Sequence, residues 1–301
     1  MSAENGVQPS GWKTERGRFA YLEAYDDAMQ LWPVPHESLY IETRFGTTHV
    51  VASGPSDAEA LVLLHAATGF GSTQWHPNVA ALSAAHRVYA VDYIGSAGKG
   101  VQTVPMFGRR DCRDWLTDAF DGLGLDQPDV VGSSQGGWLA LNLALMAPRR
   151  VGTLALLAPA ASILPFRKLM RLMISVGPYM PAWTGPPSVK GLVGDRADVD
   201  QRIVNLLTLH LAHFRYQRRA PFPSAFSSEE LRGLQSRTLL MIGDHEMIYD
   251  AERALGRACL LIPDVETELV ADAGHLINME RPEITNDRLL RFLSARTVPQ
   301  D

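Results

Sequence analysis

Gly132, Ser133, Ser134, Gln135 and Gly136 stand directly after the apolar Val130 and Val131 and before a helix-like run over residues 138–146. A serine with glycine two residues away on either side, between a strand and a helix, has the arrangement of a nucleophile elbow, and Ser134 is the candidate to attack an acyl carbon. Such a serine sits on a sharp, strained turn, and the glycines at 132 and 136 remove side chains that would collide with it. The helix beginning near Gln135 aims backbone N–H groups at the point where an oxyanion would develop, so Gln135 N–H is one expected donor. A serine hydroxyl is too weakly acidic to attack an ester unaided; it needs a base that titrates near neutrality and a group to orient that base. His275, preceded by Gly274 and just past a strand-like segment, suits the base. The pentapeptide alone is weak, since G-x-S-x-G arises by chance about one time in ten at ordinary glycine and serine usage in a chain of this length. Its context must carry the reading.

The elements that would position these residues can be read from periodicity. Residues 15–31 are amphipathic, with Phe19, Tyr21, Leu22, Tyr25 and Met29, and read as a helix that ends before Pro33. Residues 39–44 and 47–52 flank Phe45-Gly46 as a hairpin. Residues 61–65 and 87–92 are short apolar runs of the buried parallel type, with a crossover helix expected over 75–85 whose start Pro77 restricts. A helix over 112–123 leads into a strand at 129–132; the helix after Ser134 runs to about 146 and delivers a strand over 151–157. This βαβ order predicts an α/β fold with a mostly parallel, doubly wound sheet.

From 158 to about 232 the alternation stops. Prolines accumulate (Pro159, Pro165, Pro178, Pro181, Pro186, Pro187, Pro221, Pro223) around helix-like pieces at 166–176 and 199–213. Sheet-like sequence resumes at 238–242, followed by a helix over 251–258, a strand over 266–271 and a closing helix over 281–295. The interruption reads as an inserted helical cap. The expected organisation is an N-terminal arm and helix (1–30), a first part of the core (31–159), the cap (160–232) and a second part of the core (233–301).

With 301 residues, 46% hydrophobic and 20% charged, the chain can bury a large core. A net charge of −5 gives no electrostatic case for a nucleic-acid partner. Cys112 and Cys259 lack ligand-like spacing and favour free thiols in a reducing compartment over a disulfide framework. Residues 1–11 are polar and do not read as a signal peptide, and no apolar run reaches about 18 residues. A cytoplasmic chain without a membrane span is expected, with residues 1–13 a disordered tail.

Taken in order, five motifs resemble the α/β-hydrolase superfamily over nearly all of residues 40–297. His65-Ala66-Ala67-Thr68-Gly69 followed by Trp75 is similar to the family's histidine-glycine oxyanion loop. Val91-Asp92-Tyr93-Ile94-Gly95 comes next, then the elbow, then Gly243-Asp244-His245-Glu246, and last Asp272-Ala273-Gly274-His275 followed by Glu280-Arg281-Pro282. Within the superfamily, the stretches GDHEMIYD and DAGHLINMERPE resemble bacterial carboxylesterase-type serine hydrolases.

The resemblance implies the chain order serine, acid, histidine. It places the acid at Glu246, with Asp244 as the alternative; the plainer reading of Asp244 is a turn residue bonded to local backbone. An acid after the strand at 151–157 is disfavoured, because residues 130–194 contain no Asp or Glu. The oxyanion hole would use the N–H of Gln135 and one from the loop after His65: Ala67 first, then Ala66 and Thr68. Ala66 departs from the family's glycine. The expected function is cofactor-independent hydrolysis of a small or medium apolar carboxylic ester through an acyl-enzyme on Ser134. The same triad would also serve a lactone, a thioester, a C–C bond, a peptide, acyl transfer or perhydrolysis. A ligand-binding receptor on the hydrolase architecture is the non-enzymatic alternative.

Other residues have plainer roles. His65 reads as a structural histidine bonded to backbone, and His210 and His213 share a helix face without the partners a metal would need. Asp195, Asp198 and Asp200 lack the glycine and closing glutamate of a calcium loop and suit solubility and helix capping. Cys112 and Cys259 read as packing residues. Arg149, Arg150, Arg167, Lys168, Arg171 and Lys190 suit a solvated cationic face. Phe166, Met170, Met173, Tyr179, Met180 and Trp183 either line an acyl or alcohol pocket or pack the cap onto the core.

Overall fold

The computed structural model describes residues 11–168, 199–217 and 219–295. Its strands are β1 (His36–Thr43), β2 (Gly46–Ser53), β3 (Ala60–Leu64), β4 (Arg87–Val91), β5 (Val101–Gln102), β6 (Asp129–Ser133), β7 (Leu154–Leu157), β8 (Thr238–Gly243) and β9 (Val265–Val270). Among the described residues they form one nine-stranded sheet of order β1-β2-β4-β3-β6-β7-β8-β9, with β5 paired to β2. The pairs that involve β2 are antiparallel and all others are parallel. The helices are α1 (Glu15–Met29), α2 (Val79–Ser83), α3 (Arg109–Gly122), α4 (Gln135–Met146), α5 (Gln201–His213), α6 (Ser228–Arg232), α7 (Ala251–Leu261), α8 (Ile277–Glu280) and α9 (Pro282–Ser294).

Side-chain alternation along each strand feeds two cores, as the two-residue period of a strand requires. Leu61, Leu63, Val131, Ala155, Leu157 and Met241 face a cluster with Tyr21 and Tyr25 of α1, Leu206 of α5 and Phe292 of α9. Val62, Leu64, Val130, Leu156 and Ile242 face the other, with Trp115 of α3, Trp138 of α4 and Ala258 of α7. Helix α4 is apolar nearly all round and buried from Gln135 to Ala144, as a helix covered on every side must be.

Strand β3 pairs with β4 on one side and β6 on the other, so successive crossovers leave it in opposite directions. This is a topological switch point, and the carboxyl ends of β3 and β6 flank the crevice it opens. His65 follows β3, Ser134 follows β6, Glu246 lies just past β8 and His275 lies past β9.

Several local expectations change. In place of one helix over 75–85, a 3₁₀ turn ends at Trp75 (Gly71–Trp75) and the short α2 follows, because Pro77 between them has no N–H to continue a helix. The strand expected at 151–157 begins only at Leu154: Gly152 N–H goes to Pro128 O and Thr153 N–H to Asp129 Oδ1. The expected tail is ordered from Gly11, since Arg215 N–H donates to Gly11 O at 2.7 Å and Lys13 N–H to His213 O at 2.8 Å. Cys259 is exposed and not a packing residue, whereas Cys112 is buried and its thiol is pushed up to about 12, chiefly by that burial. Asp200 caps α5 by accepting from Arg202 N–H. Of the helix expected over 166–176, Phe166 and Arg167 carry no regular structure, Lys168 is helical, and residues 169–176 lie outside the described residues.

Candidate active site

Ser134 has φ +51° and ψ −112°, a conformation that L residues rarely adopt, and it links β6 directly to α4. The turn is held from both ends: Ser134 N–H donates to Leu157 O, and Ser134 O accepts from Trp138 and Ala160. The neighbouring glycines also let backbone segments touch. A Cβ at Gly132 would lie 2.4 Å from Gly136 O, and one at Gly136 would lie 2.1 Å from Leu64 O on the adjoining strand. No rotamer change relieves a clash with backbone.

His275 Nε2 lies 2.7 Å from Ser134 Oγ, and His275 Nδ1 lies 2.7 Å from Glu246 Oε2. The second carboxylate oxygen of Glu246 accepts Ile248 N–H at 2.8 Å, which fixes the plane of the carboxylate. Ser134, Glu246 and His275 are only 7%, 5% and 7% exposed, so charge developing among them is weakly screened. With Nδ1 donating to Glu246, Nε2 is left to accept from the serine hydroxyl.

Asp244 occupies a different place. Its Oδ1 accepts Ala273 N–H at 3.1 Å and lies 2.7 Å from His245 Nδ1. Burial works against its charge, yet backbone N–H groups of Asp272 and Ala273 and the adjacent His245 hold it below the usual carboxylate range.

The loop after β3 is more firmly determined than its sequence suggests. His65 Nδ1–H donates to Ala66 O at 2.7 Å and Nε2 accepts Tyr93 N–H at 2.9 Å, a purely structural arrangement. Ala66 N–H is committed to Gln74 Oε1 at 2.8 Å, which removes it from the possible oxyanion donors. Ala67, the next residue, is exposed, and Thr68 is buried with no partner for its hydroxyl among the described residues. Gln135 is the first residue of α4, where an N–H has no intrahelical acceptor.

Sequence reasoning missed the polar bridge behind this loop. Gln74 Nε2 donates to Asn278 Oδ1 (3.2 Å), Asn278 Nδ2 to Asn78 Oδ1 (3.1 Å), and Asn78 Nδ2 to Asn286 Oδ1 (2.8 Å). Gln74, Asn78 and Asn278 are fully buried, so the loop after β3 and the segment after His275 share one hydrogen-bond network. Asp92 was seen only as part of a motif. It accepts from Tyr25 OH, from Ser72 N–H and Oγ–H and from Lys99 N–H, and lies 2.9 Å from His49 Nδ1. Burial alone would raise its carboxyl, but His49 and Ser72 hold it well below the usual range. No signal in one sequence marks Gln74 or Asn278.

Phe166 packs against Phe222 with ring centroids 5.5 Å apart, and Arg167 N–H donates to Ile248 O beside the Glu246 loop. Met170, Met173, Tyr179, Met180 and Trp183 lie outside the described residues. His210 is buried against Gly69 and Phe214, and His213 packs on Gly17. Among the described residues, no group of three or more His, Cys, Asp or Glu side chains could hold a metal ion.

The Alpha/beta hydrolase family model matches residues 61–288. The chain is 39% identical over 287 residues to the "Uncharacterized carboxylesterase nap" of Bacillus subtilis, covering 92% of this chain and 93% of the other. The crystal structure of carboxylesterase CesB (YbfK) from Bacillus subtilis superposes with a TM-score of 0.87 at 35% identity, covering 94% of this chain and all of that one. The structure of naproxen esterase (carboxylesterase NP) from the same organism gives 0.86 at 37% identity, covering 93% and 99%.

Proposed function

As this chain belongs to the alpha/beta hydrolase family, we propose that it cleaves carboxylic esters with Ser134 as nucleophile, His275 as base and Glu246 as the acid that orients the base. The observation that carries the assignment of roles is the continuous chain from Glu246 Oε2 through His275 to Ser134 Oγ, 2.7 Å at each link. The likeness to carboxylesterases over more than nine-tenths of the chain supports the reaction class, a carboxylesterase-type serine hydrolase.

In this reading Ser134 Oγ bonds to the ester carbonyl carbon while its proton passes to His275 Nε2, and Glu246 stabilises the imidazolium and fixes its tautomer. The N–H groups of Gln135 and Ala67 receive the tetrahedral oxyanion. His275 then gives the proton to the leaving alcohol as the ester C–O bond breaks; in the second half it takes a proton from a water whose oxygen bonds to the acyl carbon, and passes it to Ser134 Oγ as the acyl–Oγ bond breaks and the acid leaves. The substrate in this reading is a small or medium apolar ester.

The division at 1–30, 31–159, 160–232 and 233–301 belongs to the same proposal. It is supported by the break in the strand–helix alternation after β7: among the described residues the next strand is β8, which begins only at Thr238. Cys112 and Cys259, both free thiols, support a reducing, cytoplasmic compartment.

Hydrolysis of p-nitrophenyl esters of graded acyl length tests the proposal. Continuous turnover that vanishes in Ser134→Ala is the expected result. A folded protein that turns over no ester, yet reacts once with a fluorophosphonate at Ser134, would contradict it in favour of a receptor-like role.

A further inference from the structure

Two carboxylates grip the backbone around His275, and the reaction above uses neither. On one side Asp244 Oδ1 holds Ala273 N–H. On the other, Glu280 Oε2 accepts Gly274 N–H at 2.8 Å and Glu280 Oε1 accepts Leu276 N–H at 3.1 Å. The residues immediately before and after His275 thus donate to one carboxylate at the end of α8. The fit is close: a Cβ at Gly274 would stand 3.0 and 3.1 Å from the two Glu280 oxygens. Two acceptor oxygens facing two N–H groups is a demand that a carboxylate meets and an amide half meets.

We propose that Glu280 is a positioning residue for His275: it sets the imidazole by clamping both flanking peptides and adds a negative charge near the imidazolium formed during turnover. This rests on His275 being the base. Among the described residues, the charged groups around His275 are Glu246 from the loop after β8, Glu280 from α8, the Asp244–His245 pair, and Arg281, which pairs with Asp272 at 3.7 Å. Arg281 is paired with Asp272 and Asp244 bonds the Ala273 peptide, so Glu280 is the carboxylate that holds both peptides flanking His275. Burial raises the Glu280 carboxyl above its usual value even though the two N–H groups and His275 favour its charge.

The test compares wild type, Glu280→Gln and, as a control of equal charge change, Glu283→Gln, which is exposed in the first turn of α9. kcat, KM and the pH profile of kcat/KM are measured on a p-nitrophenyl ester. Glu280→Gln is expected to lower kcat about 10- to 100-fold with KM within about twofold, and to move the acid limb to lower pH by about half a unit, because less negative charge then favours the imidazolium. Glu283→Gln is expected to change neither. A kcat within twofold of wild type, or a loss of kcat with the limb unmoved, would overturn the proposal. Should Glu280→Gln not fold, Glu280→Asp keeps the charge and shortens the reach; it is expected to lose kcat with the limb in place, and wild-type kcat there would overturn the clamp. Ser134→Ala and His275→Ala assayed in parallel separate two failures. Hydrolysis that survives them sinks the reading of the site, whereas hydrolysis that needs them but ignores Glu280 sinks only this inference.

Discussion

His275 Nε2 and Ser134 Oγ lie 2.7 Å apart although 141 positions separate them in the chain. Their meeting is a property of the sheet. Ser133 pairs with Leu157, Leu157 with Met241, and Gly243 with Val270, so the carboxyl ends of β6, β8 and β9 open on the same edge. At Gly243, a Cβ would lie 2.2 and 2.3 Å from the carbonyls of Ala273 and Gly274, which shows how tightly the histidine loop is laid over the end of β8.

The strained backbone of Ser134 separates stability from activity. Ser134→Ala and Ser134→Gly both remove the hydroxyl, and each should lower kcat by about 10⁴-fold or more while folding normally. They differ in backbone freedom. At φ +51° a glycine is relaxed where alanine is strained, so Ser134→Gly should be the more stable by about 1 kcal/mol after allowing for glycine's larger unfolded entropy. Comparing the two denaturation midpoints checks this; an equal or lower midpoint for the glycine variant would mean that the turn is not strained.

The two acidic residues after β8 should behave unlike each other. Glu246→Gln keeps the shape and removes the charge that orients and stabilises His275, with an expected loss of about 10²- to 10⁴-fold in kcat. Asp244→Asn should cost less than about tenfold in kcat and show its effect mainly as lost stability, since Asp244 holds the Ala273 N–H. Steady-state kinetics on one ester distinguishes the pair, and the reverse ranking would reassign the acid.

The reach of the sequence follows from which interactions are local. Strand alternation, the apolar α4 and the strand–glycine–serine–helix pattern are short-range signals, and from them follow the succession of elements along the chain and the candidate Ser134. His275 was legible as a glycine-preceded histidine past a strand, and Glu246 only through its likeness to a known motif. Gln74, Asn78 and Asn278 were not legible, because Gln74 and Asn278 meet across 204 positions and each looks like an ordinary polar residue on its own. The break at Pro77 comes from a missing N–H, and that at Gly152-Thr153 from N–H groups that go to Pro128 O and Asp129 Oδ1 instead of a ladder, neither of which periodicity registers.

The buried amide bridge should show strong coupling. Gln74→Leu leaves Ala66 N–H and Asn278 Oδ1 without their partner and should cost about 1–3 kcal/mol. Asn278→Leu should cost a similar amount, and the double variant clearly less than the sum, as for residues sharing one network. Chemical denaturation of the four proteins gives the coupling; strict additivity would show that the bridge does not act as a unit.

His210 should make the fold acid-sensitive. It is 4% exposed, its Nδ1 has no partner among the described residues, and burial lowers it from the ordinary 6.5 to about 4. The unfolded chain therefore binds this proton first as pH falls. Its contribution to stability is intact above pH 6.5, drains away between about 6.5 and 4, and stops changing below that, a loss on the order of 3 kcal/mol. In His210→Gln the stability curve should be flatter over that window. An unchanged slope would mean that His210 takes up a proton as readily folded as unfolded.

The most direct test of the central claim is to quench the protein with acid during turnover of a short-chain p-nitrophenyl ester and map the acylated peptide by mass spectrometry. The expected result is one acyl group on the peptide that carries Ser134, absent from Ser134→Ala. Acylation at another residue, or continued turnover by Ser134→Ala, would contradict the assignment of Ser134 as the nucleophile.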